Sequence, residues 1–249
     1  HLSGYIQIPR GLQDELLEKA KQADIDCEIE DECQQGRNIN VDFIGELRSE
    51  QDKALKELVK YDNGILHAAT AFGKTVVSSA IIAQKKVNTL IILESSALIE
   101  QWKEALEKFL NIDEEFPSYK TKTGRIRKRK SLIGTLQGAH DSMTGIIDIA
   151  MAGSLCKKGE YHKLLNEYGL VLVDECHHSA SETIANVLKE VKAKYVYGVT
   201  ATPKRGDGLE KINYMLIGSI RYSYTAKEKA KEQGIQHLVY PRFTRTVPP

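Results

Sequence analysis

Three short stretches of this 249-residue chain combine residue types suited to phosphate chemistry. The first is "HAATAFGKT", residues 67–75. It follows the apolar run "GIL" and precedes the helix-like "VVSSAIIAQKK". A Gly-Lys-Thr between a buried strand and a helix is the core of a phosphate-binding loop. Successive backbone N–H groups cradle phosphate oxygens there, and the helix N-terminus adds its positive dipole end. Thr70, Ala71, Phe72, Gly73, Lys74 and Thr75 are the candidate binding residues, with Ala68 standing where the usual pattern opens on Gly. The second stretch is "GLVLVDECHH", residues 169–178, an acidic pair closing another apolar run. Phosphoryl transfer to water needs a metal to neutralise the phosphates and a group to orient the attacking water. Asp174 would hold Mg2+ and Glu175 would polarise the water; alone, an Asp-Glu after a strand is as readily a helix cap. The third stretch is "GVTATPKRGDG", residues 198–208.

The elements that must position these residues are legible as an alternation. "GILHA", "NTLIIL", "DIAM", "GLVLVDE" and "YVYGVT" are short apolar runs, most of them followed by helical patterns such as "SALIEQWKEALEKFL" and "SETIANVLKEV". Apolar runs without polar alternation suit strands buried on both faces, and the alternation predicts an α/β fold with a parallel sheet and crossover helices. Residues 1–45 read differently, as a small α+β unit. "YIQIP", "CEIEDEC" and "NINVDFIG" alternate like strands, and "GLQDELLEKAKQAD" places Leu12, Leu16 and Leu17 on one helical face. The expected division is an accessory domain over 1–45, the α/β domain over 46–225 and a linker over 226–249. The opening "HLSGYIQIPR" has neither an initiator Met nor a leader pattern, and the chain stops on Pro-Pro; both features suggest a piece of a longer protein.

Composition excludes several classes. A hydrophobic content of 41% with 28% charged residues is that of a globular domain, and no run of 18 apolar residues is present to span a membrane. The cysteines, Cys27, Cys33, Cys156 and Cys176, form no C-x-x-C pair, so a zinc ribbon or redox dithiol is not supported. Scattered thiols suit a reduced, cytoplasmic setting. The net charge of +1 divides into −6 over residues 1–45 and +7 over the rest, so a polyanion is expected on the second part.

In order and spacing, "ATAFGKT", "DECH" and "TATP" resemble motifs I, II and III of superfamily 2 helicases of the DExH type. The resemblance covers roughly residues 46–249, and "KRGDG" after "TATP" narrows it to the XPB-like and type III restriction-like branch. "TLQGAHDS" and "YPRFTRTV" look most like bacterial helicases of conflict or phage-defence type. The resemblance implies a RecA-like fold that binds ATP and Mg2+, and Ala at the first loop position is common there. It also implies that Lys74 contacts the β- and γ-phosphates and that Thr75 ligates Mg2+ with Asp174. "LRSEQ" resembles the branch's adenine-reading segment, so Gln51 would meet the adenine edge with Arg48 beside it; an ordinary helix start is the alternative. His177 would face Thr200 and Thr202 and link nucleotide state to nucleic-acid grip.

The nucleic-acid side rests on fewer residues. Ser95, Ser96 and Gln101 in "ILESSALIEQW" stand where the family meets backbone phosphates, although Glu94 beside them is repulsive to a phosphate strand. Ser154 in "MAGSL" stands at a later contact motif where a Gln-Ser pair is usual. Trp102, the sole tryptophan, reads as core from its spacing to Leu98, Leu106 and Phe109. "KTKTGRIRKRK", residues 120–130, holds seven cations, including Arg127, Lys128 and Arg129. It is either a solvated loop or a phosphate-tracking run. The reading is thus a motor domain that hydrolyses Mg-ATP while moving along nucleic acid, DNA before RNA. A second RecA-like domain of the same protein would supply the arginine fingers. A double-strand translocase subunit of a defence system and a nucleotide-gated clamp are the alternatives.

Overall fold

The computed structural model describes residues 6–121, 123–178, 181–202, 210–225 and 227–228, the side chains of 178 and 210 apart. Its first elements are helix α1 (Gln13–Gln22), strand β1 (Val41–Phe43) and helix α2 (Ser49–Leu58). Then β2 (Asn63–Ala68) leads through the phosphate-loop sequence into α3 (Lys74–Lys85), and β3 (Thr89–Leu93) leads into α4 (Ile99–Phe109). Three short strands follow: β4 (Leu110–Ile112), β5 (Ser118–Lys120) and β6 (Ile126–Lys128). Strands β7 (Ile133–Gln137), β8 (His140–Asp141) and β9 (Ile147–Met151) precede helix α5 (Ala152–Leu155) and the two-residue strands β10 (Cys156–Lys157) and β11 (Glu160–Tyr161). Then come β12 (Leu170–Asp174), α6 (Glu182–Glu190), β13 (Tyr195–Thr200), α7 (Glu210–Leu216) and β14 (Ile220–Tyr224).

Eight strands form one sheet in the order β14-β2-β13-β12-β3-β9-β7-β8, parallel throughout except for the final β7–β8 pair. The expected α/β fold with a parallel sheet is what forms. The apolar run of β12 shows why: Leu170 and Leu172 enter one core while Val171 and Val173 enter the other. Helices α2, α3 and α4 cover the first face, and α5, α6 and α7 the second. Because the strands run parallel, their C-terminal ends lie along one edge of the sheet. At that edge the loops after β2, β13 and β12 stand side by side, which is where open α/β sheets bind ligands.

Segment 6–45 departs from the pattern read off its sequence. Residues 6–9 and 27–33 form no strand, and β1 pairs antiparallel with β4 rather than within its own unit. "CEIEDEC" alternates, but Ile29 stays exposed and its carboxylates are poor strand formers. An alternating run becomes a strand only where a neighbour can pair with it. The segment instead lies along the sheet domain. Arg10 donates to the carbonyls of Val191 and Ala193, Gln34 bridges to Ala193 and Asn38 to Val87. The four cysteines form no disulfide. Cys176 is buried against Gly198, where a Cβ would collide with its sulfur.

Candidate nucleotide and nucleic-acid site

The loop after β2 turns sharply to enter α3. Ala71 takes φ 64° and Gly73 φ 88°, the left-handed region that a side chain disfavours. Gly73 is required twice over, since a Cβ there would also collide with the Gln51 amide nitrogen. The N–H groups of Lys74 and Thr75 open the first turn of α3, where no intrahelical acceptor exists. Thr70 and Ala71 face solvent. Phe72 is buried and packs on Tyr224 with ring centroids 5.0 Å apart.

Arg48 and Gln51 hold this loop from α2. Gln51 Nε2 donates to the Phe72 carbonyl at 2.8 Å, and Arg48 Nη2 donates to the same oxygen. Gln51 Oε1 accepts from Arg48 N at 2.9 Å, so its side chain caps the start of α2. The helix start given as the alternative for "LRSEQ" is what forms, and both side chains also bond to the loop. Gln51 is 4% exposed, and its amide retains one N–H and one acceptor lone pair beyond these bonds.

Strand β12 delivers Asp174 and Glu175 opposite the loop. Lys74 Nζ lies 3.1 Å from Glu175 Oε1. Glu175 has φ 43°, so the chain turns out of the strand at that residue. Strain of this kind persists where surrounding contacts fix it. The second oxygen, Oε2, accepts from Thr200 Oγ1 at 3.3 Å and Ala201 N at 3.4 Å, and lies 3.2 Å from His177 Nδ1. His177 Nδ1 is 2.8 Å from Thr200 Oγ1, which accepts from Thr202 N at 3.0 Å. Lys74, Glu175, His177, Thr200 and Thr202 are thus brought into one network from three neighbouring strand ends. Burial works to raise the Glu175 carboxyl, but Lys74, the Ala201 N–H and His177 together hold it below the ordinary value. Asp174 is shifted the other way, up, by burial.

Asp174 has a partner that the sequence reading missed. Trp102 Nε1 donates to its Oδ2 at 2.7 Å, and Oδ1 accepts from Glu175 N at 2.9 Å. Trp102 is buried in the core, as its spacing predicts. The available signal was its indole N–H, which needs an acceptor when buried. Each carboxylate oxygen keeps lone-pair capacity beyond its one bond. A carboxylate with the Thr75 hydroxyl is a hard oxygen set of the kind Mg2+ takes alongside nucleotide phosphates. Among the described residues no cluster of three or more His, Cys, Asp or Glu could hold a metal by itself.

The nucleic-acid candidates divide. Ser95, Ser96 and Gln101 are exposed beyond the end of β3, next along the edge from Asp174. Ser154 is not exposed: it is 8% accessible, and its Oγ accepts from Gly138 N at 2.8 Å, fixing the β7–β8 turn. The basic run is a hairpin, with β5 and β6 antiparallel and Tyr119 opposite Arg127. Arg127 and Lys128 face solvent. Arg129 lies over the Tyr119 ring, 4.4 Å from its centroid, and donates to the Met143 carbonyl at 3.2 Å. With α4 and the β7–β8 pair the hairpin encloses a cleft of about 370 Å3, lined by Lys103, Arg127, Lys128, Lys130 and His140 among others, with Glu100 as its acidic member. Residues 203–209, with "KRGDG", and the exit segment from 229 onward lie outside the described residues.

Comparison with known proteins gives the family and the fold. The family described as type III restriction enzyme, res subunit, matches residues 44–205. The DNA 3'-5' translocase XPB2 of Sulfurisphaera tokodaii is 33% identical over 185 residues, 74% of this chain and 37% of that protein. Protein 109L of Invertebrate iridescent virus 3, which carries a helicase name, is 33% identical over 180 residues, 71% of this chain and 51% of that protein. The chain therefore spans between about a third and a half of the length of these curated relatives. Among solved structures, T4 UvsW superposes with a TM-score of 0.61 over 86% of this chain and 44% of that one, at 13% identity. The Sulfolobus solfataricus SWI2/SNF2 ATPase core in complex with dsDNA gives 0.52 over 74% of this chain and 37% of that one, at 18% identity. These superpositions establish a RecA-like fold.

Proposed function

We propose that this chain, which belongs to the type III restriction enzyme, res subunit family, is the ATP-binding first motor domain of a DNA-dependent ATPase of superfamily 2. The observation that carries the reading is the convergence of Lys74, Glu175, His177 and Thr200 at the ends of three adjacent parallel strands. In this reading the loop 70–75 cradles the phosphates, and Gln51 with Arg48 holds the loop while its remaining amide capacity meets the base. Thr75 and Asp174 would hold Mg2+, which when bound would supply neutralisation of the phosphate charge. Glu175 orients water, and its partners His177 and Thr200 carry the state of the nucleotide toward the nucleic-acid edge. Ser95, Ser96 and Gln101 meet a backbone there, and Arg127 and Lys128 extend that track over the basic cleft. Ser154 supports the track from below, through the Gly138 turn.

Residues 46–225 are assigned to the motor domain, a boundary supported by the family match beginning at residue 44. Residues 1–45 are assigned an accessory role, although their described part packs on the motor domain, with Ile39 and Val41 in its core, and 226–249 are assigned to a linker toward a second RecA-like domain. DNA is favoured over RNA by the translocase name of XPB2 and the dsDNA bound to the SWI2/SNF2 core. The same two names favour movement along duplex DNA as the second reading beside strand separation. A restriction role is supported by the family's own description, whereas the relatives named above are archaeal and viral rather than bacterial; a cytoplasmic setting is supported by the scattered cysteines. No described helix is long and apolar enough to cross a membrane. The test is titration of a fluorescent ATP analogue against the chain and its Lys74→Ala form with Mg2+ present. Removing a charge-assisted contact of roughly 1.5–3 kcal/mol should weaken binding about 10- to 150-fold. Equal affinities would refute the nucleotide site.

A further inference from the structure

The residue that the proposed chemistry leaves unused is Trp102. It is 1% exposed, and its indole N–H ends on a carboxylate of the site rather than on a backbone carbonyl. Helix α4 buries Ile99, Trp102 and Leu106 on its inner side, while Glu100 and Gln101 stay on the outside. The chain reaches α4 directly from β3 through Ser95 and a single turn at Ser96–Leu98. Strand β3 is the parallel neighbour of β12, with Ile92 opposite Val173. One short element therefore carries the exposed candidates Ser95, Ser96 and Gln101 at its start and the Asp174 partner one residue later.

We infer that Trp102 is a positioning residue: it orients the Asp174 carboxylate for Mg2+ and links that carboxylate to whatever occupies the outer face at the start of α4. This rests on the reading of Asp174 as the metal-holding group. An Asp174 free to rotate would present its oxygens in several directions. With Oδ2 held by Trp102 and Oδ1 by the Glu175 N–H, one orientation is set in advance. Groups that orient metal-holding side chains in this way typically contribute 10- to 100-fold to metal affinity. A shift of α4 on nucleic-acid contact would move the indole and hence the carboxylate. By linkage, metal and nucleic acid must then influence each other's binding equally.

The experiment measures the Mg2+ concentration at half-maximal binding of a fluorescent ATP analogue, with and without a DNA duplex. Three forms of the chain are compared: unaltered, Trp102→Phe, and one with benzothienylalanine at position 102. The last keeps the shape of the indole but lacks the N–H, so it separates hydrogen bonding from packing. Both altered forms should need about 10- to 100-fold more Mg2+. Their affinity for the analogue in EDTA should stay within about twofold, because the loop is untouched. Duplex DNA should shift the Mg2+ midpoint of the unaltered chain and leave that of the benzothienylalanine form nearly unmoved. Trp102 is the sole tryptophan, so its emission in the unaltered chain should respond to Mg2+ with nucleotide, and in Asp174→Asn it should not. An unchanged midpoint in the benzothienylalanine form would reduce Trp102 to a core residue, whatever Trp102→Phe does to folding. A DNA shift that survives the replacement would remove the link to α4. An unaltered chain that binds no analogue would sink the nucleotide reading itself, and this inference with it.

Discussion

Lys74 Nζ stands 3.1 Å from Glu175 Oε1, a cation from one strand end paired with a carboxylate from another. A phosphate on the loop must compete with Glu175 for that cation. Partly exposed ion pairs contribute about 0.2–1 kcal/mol, which is about 1.4- to 5-fold in affinity. Glu175→Gln should therefore tighten binding of an ATP analogue by that factor, whereas Lys74→Ala weakens it. Calorimetric titration of both variants checks the signs. Weaker binding by Glu175→Gln would mean that Lys74 needs Glu175 to be placed at all.

The same pair predicts a pH dependence. The folded state holds the Glu175 carboxyl below its ordinary value, so ionised Glu175 favours folding. That contribution is complete above the ordinary glutamate pKa of about 4.3 and is lost as pH falls through the lowered value. Glu175→Gln should melt slightly below the unaltered chain at pH 7, with the gap closing on acidification below about pH 4. Melting curves across this range would show it, and a gap that widens toward acid would contradict the assignment.

How much of this was visible in the sequence depends on the range of the interaction. The meeting of loop 70–75 with the Asp174-Glu175 pair was legible because each is a contiguous stretch at a strand end. The sheet was legible because β3 and β12 are apolar on both faces. Contacts between distant segments were not. Trp102 and Asp174 are 72 positions apart, and nothing local marks them as partners. Ser154 was expected at the surface by motif position, yet its small hydroxyl suited an inward bond to the Gly138 turn. The cations at 120–130 read as a charge run, and Tyr119 opposite Arg127 made that run a hairpin. Residues 27–33 misled in the other direction, since alternation there had no neighbour to pair with.

Asp148, also unmarked by the sequence, carries a stability prediction. It is fully buried and accepts from Thr144 N at 2.8 Å, Gly145 N at 2.7 Å, Thr144 Oγ1 at 3.1 Å and Tyr168 Oη at 2.6 Å. Asp148→Asn would turn an amide NH2 toward donors, leaving buried groups unsatisfied at a cost of about 1–3 kcal/mol. In a chain of this size that lowers the melting temperature by about 2–12 °C. Tyr168→Phe, which leaves the other donors in place, should do less. Equal stability of Asp148→Asn would mean that the cluster rearranges without loss.

The basic hairpin separates two kinds of cation. Arg127 and Lys128 face solvent, whereas Arg129 is tied to Tyr119 and the Met143 carbonyl. If the first two track phosphates, replacing them with Ala should reduce the log–log salt slope of DNA binding. The reduction should be about 0.7 to 0.9 for each phosphate no longer neutralised, whatever the base sequence. Arg129→Ala should instead lower the melting temperature. An unchanged slope in the double variant would return Arg127 and Lys128 to the status of solvated surface.

Turnover carries the last prediction. In the proposed arrangement Glu175 orients water and Asp174 holds Mg2+, but charge developing on the transferred phosphoryl group calls for a further cation. In the proposed arrangement Lys74 is already engaged with the phosphates, and arginine fingers contribute on the order of 10³–10⁵ in rate in related phosphoryl-transfer enzymes. In the proposed arrangement a second RecA-like domain supplies them. Residues 1–249 should therefore bind Mg-ATP yet release almost no phosphate, with or without nucleic acid. A longer chain carrying that second domain should hydrolyse ATP in a DNA-stimulated manner, and Glu175→Gln in it should abolish the turnover. Phosphate release from both chains, with single- and double-stranded DNA and RNA, decides the matter and ranks the nucleic acids. Robust stimulated hydrolysis by the 249-residue chain would overturn the two-domain account. A cation of its own would then complete the site, with Arg205, outside the described residues, the first to replace.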